Sequence, residues 1–279
     1  FVRKLKHLPS SQILQYRCAQ HTIYALIFMY LNDMKFHYKD TKANRLLLVR
    51  GLIACAGATL YYISLSHLSV SENSVISQTT PVITGILATL ILKTKYEYSQ
   101  LASALLCICG VILIAKPEFI FGSNVVHDGG RIIGIIAQLC SCCVAGCAQI
   151  LVKKIGGIVN MGLVTLYFGC FATGFSGLFV LFQGIGTPSL SDFKYLFLIG
   201  FLSFFGQILN NRAFIIGNPA RVSVMSYFQI LYAYILEYFM VGLDLDGYSI
   251  FGSILIFSCL FIFLYRISKE EKRKKSSGA

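Results

Sequence analysis

Nine stretches of about twenty mostly apolar residues recur along this chain, approximately at 11–31, 46–66, 70–92, 98–115, 132–152, 159–182, 194–216, 220–241 and 248–265. At about 1.5 Å per helical residue, each is long enough to cross a hydrocarbon core of roughly 30 Å. A membrane β-barrel would instead show short segments alternating apolar with polar, and a stretch such as VISQTTPVITGILATLIL does not alternate. Lipid satisfies no backbone hydrogen bonds, so helices are the spanning element left. Composition agrees: 56% of the 279 residues are apolar and 13% charged, too little polar surface to coat a water-soluble globule. The expected fold is an all-α integral membrane bundle of nine visible transmembrane helices.

The net charge of +12 raises the question of nucleic acid. The basic residues, however, lie in loops rather than on one soluble face. With the run KEEKRKKSSGA placed in the cytoplasm, alternate loops put fifteen basic residues inside and six outside, as the positive-inside rule requires. Three of the outside six, Arg3, Lys4 and Lys6, belong to the opening stub and run against the trend. The ten cysteines lie almost wholly within spans, for example Cys140, Cys142, Cys143 and Cys147. They lack the paired spacing in polar loops of a disulfide or zinc framework, and read as small residues at helix contacts.

The chain also repeats itself. Shifted by 149, Gly51, Gly57, Leu60, Ser74, Val75, Ser77, Ile86, Leu87 and Leu106 fall on Gly200, Gly206, Leu209, Ser223, Val224, Ser226, Ile235, Leu236 and Leu255 without a gap. Shifted by 150, the opening FVRKL falls on LVKKI at 151–155, which closes a complete span. FVRKL therefore reads as the tail of a helix whose body is missing from this chain, giving ten spans in the parent, five per half. Five is odd, so the halves enter the membrane from opposite sides, an inverted repeat of the kind that supports alternating access. The expected organisation is a first repeat over 1–118 lacking its first helix, a connecting loop 119–131, a second repeat 132–268 and a basic cytoplasmic tail 269–279.

With these features, and with PVITGILATLIL followed by a basic turn and SQLASALLCICGVILIAKP, the chain resembles the EamA-type domain of the drug/metabolite transporter superfamily. Within it the pattern is most similar to solute carrier family 35, especially its G-like branch. Members usually carry a Glu in the turn after the fourth and ninth helices, where this chain has Thr94 and Leu243. The resemblance implies a ten-helix bundle with both termini cytoplasmic. It also implies a central cavity lined by helices one to four and six to nine, with the fifth and tenth peripheral.

Polar side chains inside a bilayer are costly, so those at helical spacing mark helix contacts or a solute path. Arg17, Gln20, His21 and Tyr24 share one face of the first span. Asn73, Ser77, Thr80 and Thr84 share one face of the third, beside Pro81. Gln138, Cys142 and Gln149 mark the fifth span, Gln207, Asn210 and Asn211 the seventh, and Ser223, Ser226, Tyr227 and Glu237 the eighth. The hydroxyls have an ordinary alternative, back-bonding to their own helix. The amides cannot satisfy all their donors within one helix, and a shared polar cavity is the simplest common partner.

Expected substrate-binding residues are thus Arg17, Gln20, Tyr24, Asn73, Ser77, Thr80, Gln138, Gln149, Gln207, Asn210, Asn211, Ser226 and Tyr227. Arg17 either snorkels to the headgroups or pairs with another group or binds an anion in the cavity, and Arg212 is placed to snorkel. Glu237 either couples transport to an ion or forms a salt bridge or interfacial contact. The five histidines form no catalytic motif, and neither HExxH, GxSxG nor a phosphate-binding loop occurs, so no enzyme, cofactor or metal is expected. The function indicated is a secondary transporter for a small polar or anionic metabolite, such as a nucleotide sugar. The alternative is a structural or signalling multi-pass protein without a solute path. Expected partners are a small-molecule solute and the lipid bilayer of the plasma membrane or an endomembrane, with nucleic acid excluded and a homodimer allowed.

Overall fold

The computed structural model describes residues 8–36, 41–68, 70–93, 98–115, 129–183, 186, 188–241 and 247–277. The opening FVRKL, Thr94, Leu243 and the greater part of the connecting loop lie outside them. Every regular element among them is a helix: α1 Ser10–Leu31, α2 Thr41–Leu65, α3 Val70–Ser77, α4 Thr80–Leu92, α5 Tyr98–Ala115, α6 Gly129–Ile155, α7 Met161–Gln183, α8 Leu190–Ile216, α9 Pro219–Met225, α10 Phe228–Val241 and α11 Gly247–Ser277. The nine apolar stretches are these helices, with α3 and α4 forming one interrupted span and α9 and α10 another.

Five spans among the described residues are long and apolar enough to cross a membrane: α2, the α3–α4 run, α6, α7 and α8. Large apolar side chains such as Leu181, Leu209 and Phe239 stand exposed on the helices, as side chains solvated by lipid do. Helix α1 is not among the five, because Gln12, Gln15, Arg17, Gln20 and His21 dilute its apolar character. Several of its polar groups, among them Gln12, Gln15 and Gln20, are paired with neighbours described below.

Helix starts repeat at the sequence offset. Thr41, Val70 and Tyr98 begin α2, α3 and α5, and 149 residues on, Leu190, Pro219 and Gly247 begin α8, α9 and α11. The helices group into two compact units that divide the chain differently from the sequence halves. One comprises Phe1–Ala58 with Cys147–Gly217, the other Thr59–Gly146 with Asn218–Ala279. Each unit therefore takes equivalent helices from both halves.

In the first unit, α1 packs along α7 and α8. Lipid tails are as apolar as leucine, so close backbone approach and polar contacts, not water exclusion, hold such helices together. Gly200 of α8 lies so near α1 that a Cβ there would overlap the side chain of Gln20. Its repeat equivalent Gly51, on α2, lies as tightly against the ring of Phe171 on α7. Both ends of α8 are capped. At the start, the Asp192 carboxylate accepts from the Ser189 N–H (2.8 Å) and hydroxyl (2.9 Å). At the end, Lys153 Nζ donates to the carbonyls of Ile215 (2.6 Å) and Gly217 (2.9 Å), placing a cation on the negative pole of the helix.

In the second unit, α5 packs on α11, where Gly110 and Gly252 meet. A Cβ on either would come within 2.8 Å and 2.6 Å, respectively, of the other's carbonyl oxygen. Val75, Cys107, Val224, Tyr227, Ile256 and Cys259 belong to the core there. Helix α9 packs against α4, and α3 against α5.

Candidate functional site

The sequence pattern predicts one continuous helix over 70–92, and the structure interrupts it at 78–79. The reason is local. Pro81 has no N–H for the Ser77 carbonyl, and Gln78 and Thr79 turn instead onto Val75 and Ile76 through i to i−3 bonds of 3.1 and 3.0 Å. The stranded Ser77 carbonyl accepts from Thr80 Oγ1 at 2.6 Å. The span at 219–241 is interrupted at 226–227 by the same short bonds, from Ser226 to Ser223 (3.1 Å) and from Tyr227 to Val224 (3.2 Å). Gln78 and Tyr227 are equivalent positions in the repeat, and the Tyr227 hydroxyl donates to the Gln78 carbonyl at 2.8 Å. Ser223 Oγ donates to the Pro81 carbonyl at 3.1 Å. The two spans thus touch where each is interrupted.

Beside this junction, α6 meets α3 at two contacts. Arg131 Nη2 donates to Glu72 Oε1 at 2.5 Å. Farther along both helices, Cys142 Sγ lies 3.6 Å from the Ile76 carbonyl. Asn73 and Gln138 fall on the segments between these contacts, both buried. Asn73 Oδ1 accepts from Ser64 Oγ at 2.9 Å, while Asn73 Nδ2 has no partner. Gln138 Nε2 reaches only Cys142 Sγ, at 3.9 Å, and Gln138 Oε1 has none. A free donor and a free acceptor at membrane depth are the complement of a polar solute or of water.

The first unit carries the other amides. Gln20 Nε2 donates to the Leu196 carbonyl at 3.2 Å and its Oε1 accepts from Tyr24 at 3.3 Å, so this pair ties α1 to α8. His21 Nε2 bonds Ser203 Oγ at 2.9 Å. On α8, Gln207 Nε2 donates to Asn211 Oδ1, whose own amide donates to Thr165 Oγ1 of α7, each at 3.2 Å. Gln15 pairs with Ser176, and Gln12 pairs with both backbone groups of Gly186 at 2.8 Å.

Of the expected residues, then, Asn73, Ser77, Thr80, Gln138, Ser226 and Tyr227 gather around or beside the interrupted spans. Gln20, Tyr24, Gln207 and Asn211 sit in helix-to-helix networks of the first unit. Ser77 and Thr80 bond back to Ser74 and Ser77. Arg17 is exposed on α1, and Gln149 and Asn210 are half-buried. Glu237 falls in α10, its side chain outside the described part. Among the described residues no group of three or more His, Cys, Asp or Glu is placed to hold a metal ion.

Gln100 and Arg50 are among the buried residues not singled out by sequence. Gln100 on α5 is 1% exposed with both amide atoms unpartnered. Arg50 on α2 is 5% exposed, with Nε and Nη1 unpartnered and its guanidinium carbon 5.4 Å above the Phe168 ring. Position offered a clue to Arg50: it is the tenth residue of α2, about 14 Å from the helix start, too deep for an easy reach to the interface.

The model of the EamA-like transporter family matches residues 1–116 and 132–265. Solute carrier family 35 member G1 of Mus musculus is 30% identical over 248 residues, covering 85% of this chain and 66% of the relative. The chain thus spans just under two thirds of that protein's length. The pseudopaline exporter CntI of Pseudomonas aeruginosa is 21% identical over 225 residues, covering 81% of this chain and 75% of the exporter. A solved crystal structure superposes with a TM-score of 0.75 at 12% identity, covering 90% of this chain and 87% of that one, and shows the fold. These findings bear out the resemblance drawn from the sequence.

Proposed function

We infer that this chain, which belongs to the EamA-like transporter family, moves a small polar or anionic organic solute across its membrane by alternating access. The observation that carries this reading is the pair of spans interrupted by tight i to i−3 turns at equivalent repeat positions, 78–79 and 226–227, and joined by Tyr227 and Gln78. Discontinuous helices at corresponding places of two repeats are the arrangement by which secondary transporters offer backbone dipoles to a solute inside the membrane. The unpartnered amide atoms of Asn73 and Gln138 stand next to it. An exporter of a named metabolite among the relatives supports an organic solute. Nucleotide sugars and other organic anions are the classes to test first.

The protein reconstituted in liposomes should take up a labelled solute saturably, and faster when the same unlabelled solute is present on the opposite side. Gln138→Leu should lower transport kcat/KM about tenfold, the scale of one lost hydrogen bond in a buried site. A folded protein showing no counterflow of any solute from these classes would overturn the reading.

A further inference from the structure

Arg50 has the chemistry of an oxyanion seat. Tight packing of Gly51 on Phe171 draws α2 onto α7, and Cys55 Sγ follows at 3.6 Å from the Phe171 carbonyl. One turn earlier on α7, the Phe168 ring lies under the guanidinium of Arg50. That ring holds the cation in place but accepts no conventional hydrogen bond, and Nε and Nη1 have no acceptor. The edge of the His21 ring meets the same Phe168, with centroids 6.1 Å apart. His21 is 3% exposed and its Nδ1 is also unpartnered. When the Ser203 hydroxyl donates to Nε2, His21 Nδ1–H becomes a further free donor.

Among the described residues of this unit, no carboxylate is in place to neutralise Arg50. Of its described acidic residues, Asp33 is exposed in the turn after α1, and Asp192 is taken by the Ser189 cap. A buried cation without a counter-charge is among the costliest arrangements in a membrane, and such residues mark solute paths. The repeat sharpens the point, because the position equivalent to Arg50 is Ile199. The backbone packing recurs at Gly51 and Gly200, so the scaffold does not require the charge.

We propose that Arg50, stacked on Phe168 and assisted by His21, binds an oxyanion group, carboxylate or phosphate, presented by an organic anion. The proposal deepens the transport reading and rests on it for the solute as source of that oxyanion. An anionic lipid headgroup offers the same chemistry. A guanidinium fork matches two oxygens of either group in one plane, which an ammonium cannot do.

The test uses the whole protein in nanodiscs of phosphatidylcholine alone and of phosphatidylcholine with phosphatidylserine. Thermal stability is followed against inorganic phosphate and succinate, with chloride at matched ionic strength as reference. In neutral discs the wild type should be stabilised saturably by phosphate or succinate. Arg50→Gln should weaken the apparent affinity at least tenfold, and Arg50→Lys several-fold. Stabilisation by phosphatidylserine that depends on Arg50 and masks the phosphate response identifies the headgroup as the source and also supports the seat. Equal responses in wild type and Arg50→Gln would overturn it, as would no Arg50-dependent response to either probe or to phosphatidylserine. If Arg50→Gln does not fold, the lysine variant decides, and an unchanged response there refutes recognition by the fork. Anion binding without flux would sink the transport reading alone. Anion flux untouched by Arg50→Gln would sink this site alone.

Discussion

Replacing Tyr227 by Phe tests the joint between the two interrupted spans. The Tyr227 ring is fully buried among Val75, Val224 and Ile256, and Phe keeps that packing, so the substitution isolates the hydroxyl. What is lost is its 2.8 Å bond to the Gln78 carbonyl, an acceptor in the turn between α3 and α4. Hydrogen bonds between membrane helices contribute about 0.6 kcal/mol on average and up to about 1.7. Stranding a buried acceptor costs about 1–3 kcal/mol. We expect a loss of about 1–2 kcal/mol, which for a chain of this size lowers Tm by roughly 2–4 °C. The assay is thermal unfolding in detergent with a thiol-reactive fluorogenic dye, since Cys107 and Cys259 are buried in the same core as Tyr227. Exposed thiols such as Cys109 and Cys140 react before heating and set the baseline. Tyr232→Phe, at a side chain 62% exposed, is the control and should shift stability by less than about 0.5 kcal/mol. A Tyr227→Phe protein that melts with wild type and with this control would refute the joint.

Further tests address other contacts. Gly200→Ala should cost about 1–3 kcal/mol by driving Gln20 off the Leu196 carbonyl, whereas Gly206→Ala, on the same helix with open space around its added Cβ, should be neutral or stabilising by up to about 1 kcal/mol; the same melting assay separates them. Lys153→Met should destabilise by about 1–2 kcal/mol by uncapping α8, measured as a lower Tm. Glu72→Gln and Arg131→Met should each destabilise by about 2–3 kcal/mol, and the double variant by less than their sum, which a double-mutant cycle reads directly.

Length and hydropathy made the spans legible, because the bilayer imposes one helix length and one polarity. The repeat was legible too, and its register reappears in the helix starts at 41, 70 and 98 against 190, 219 and 247. The interruptions were not. Pro81 was visible, but at 226–227 no proline marks the place, and the short i to i−3 bonds there depend on a partner 149 residues away. The stripe on α1 was visible as polarity, yet only the fold assigns Gln20 to Leu196 and His21 to Ser203. Arg50 escaped because the predicted span opens at 46, which puts it about one turn inside the membrane edge, whereas the helix itself begins at Thr41. Its burial is set by Gly51, which brings α2 onto α7.

Drawing each unit from both halves of the chain has a consequence for biosynthesis. Gln20 and His21 find their acceptors 176 and 182 residues downstream. At about 5–20 residues per second, a ribosome takes roughly ten to thirty-five seconds to deliver those partners. Throughout that interval the emerging α1 carries unsatisfied amide and imidazole groups that hydrocarbon does not tolerate. Newly made α1 must therefore be sheltered by the insertion machinery, or wait at the interface, until α7 and α8 arrive.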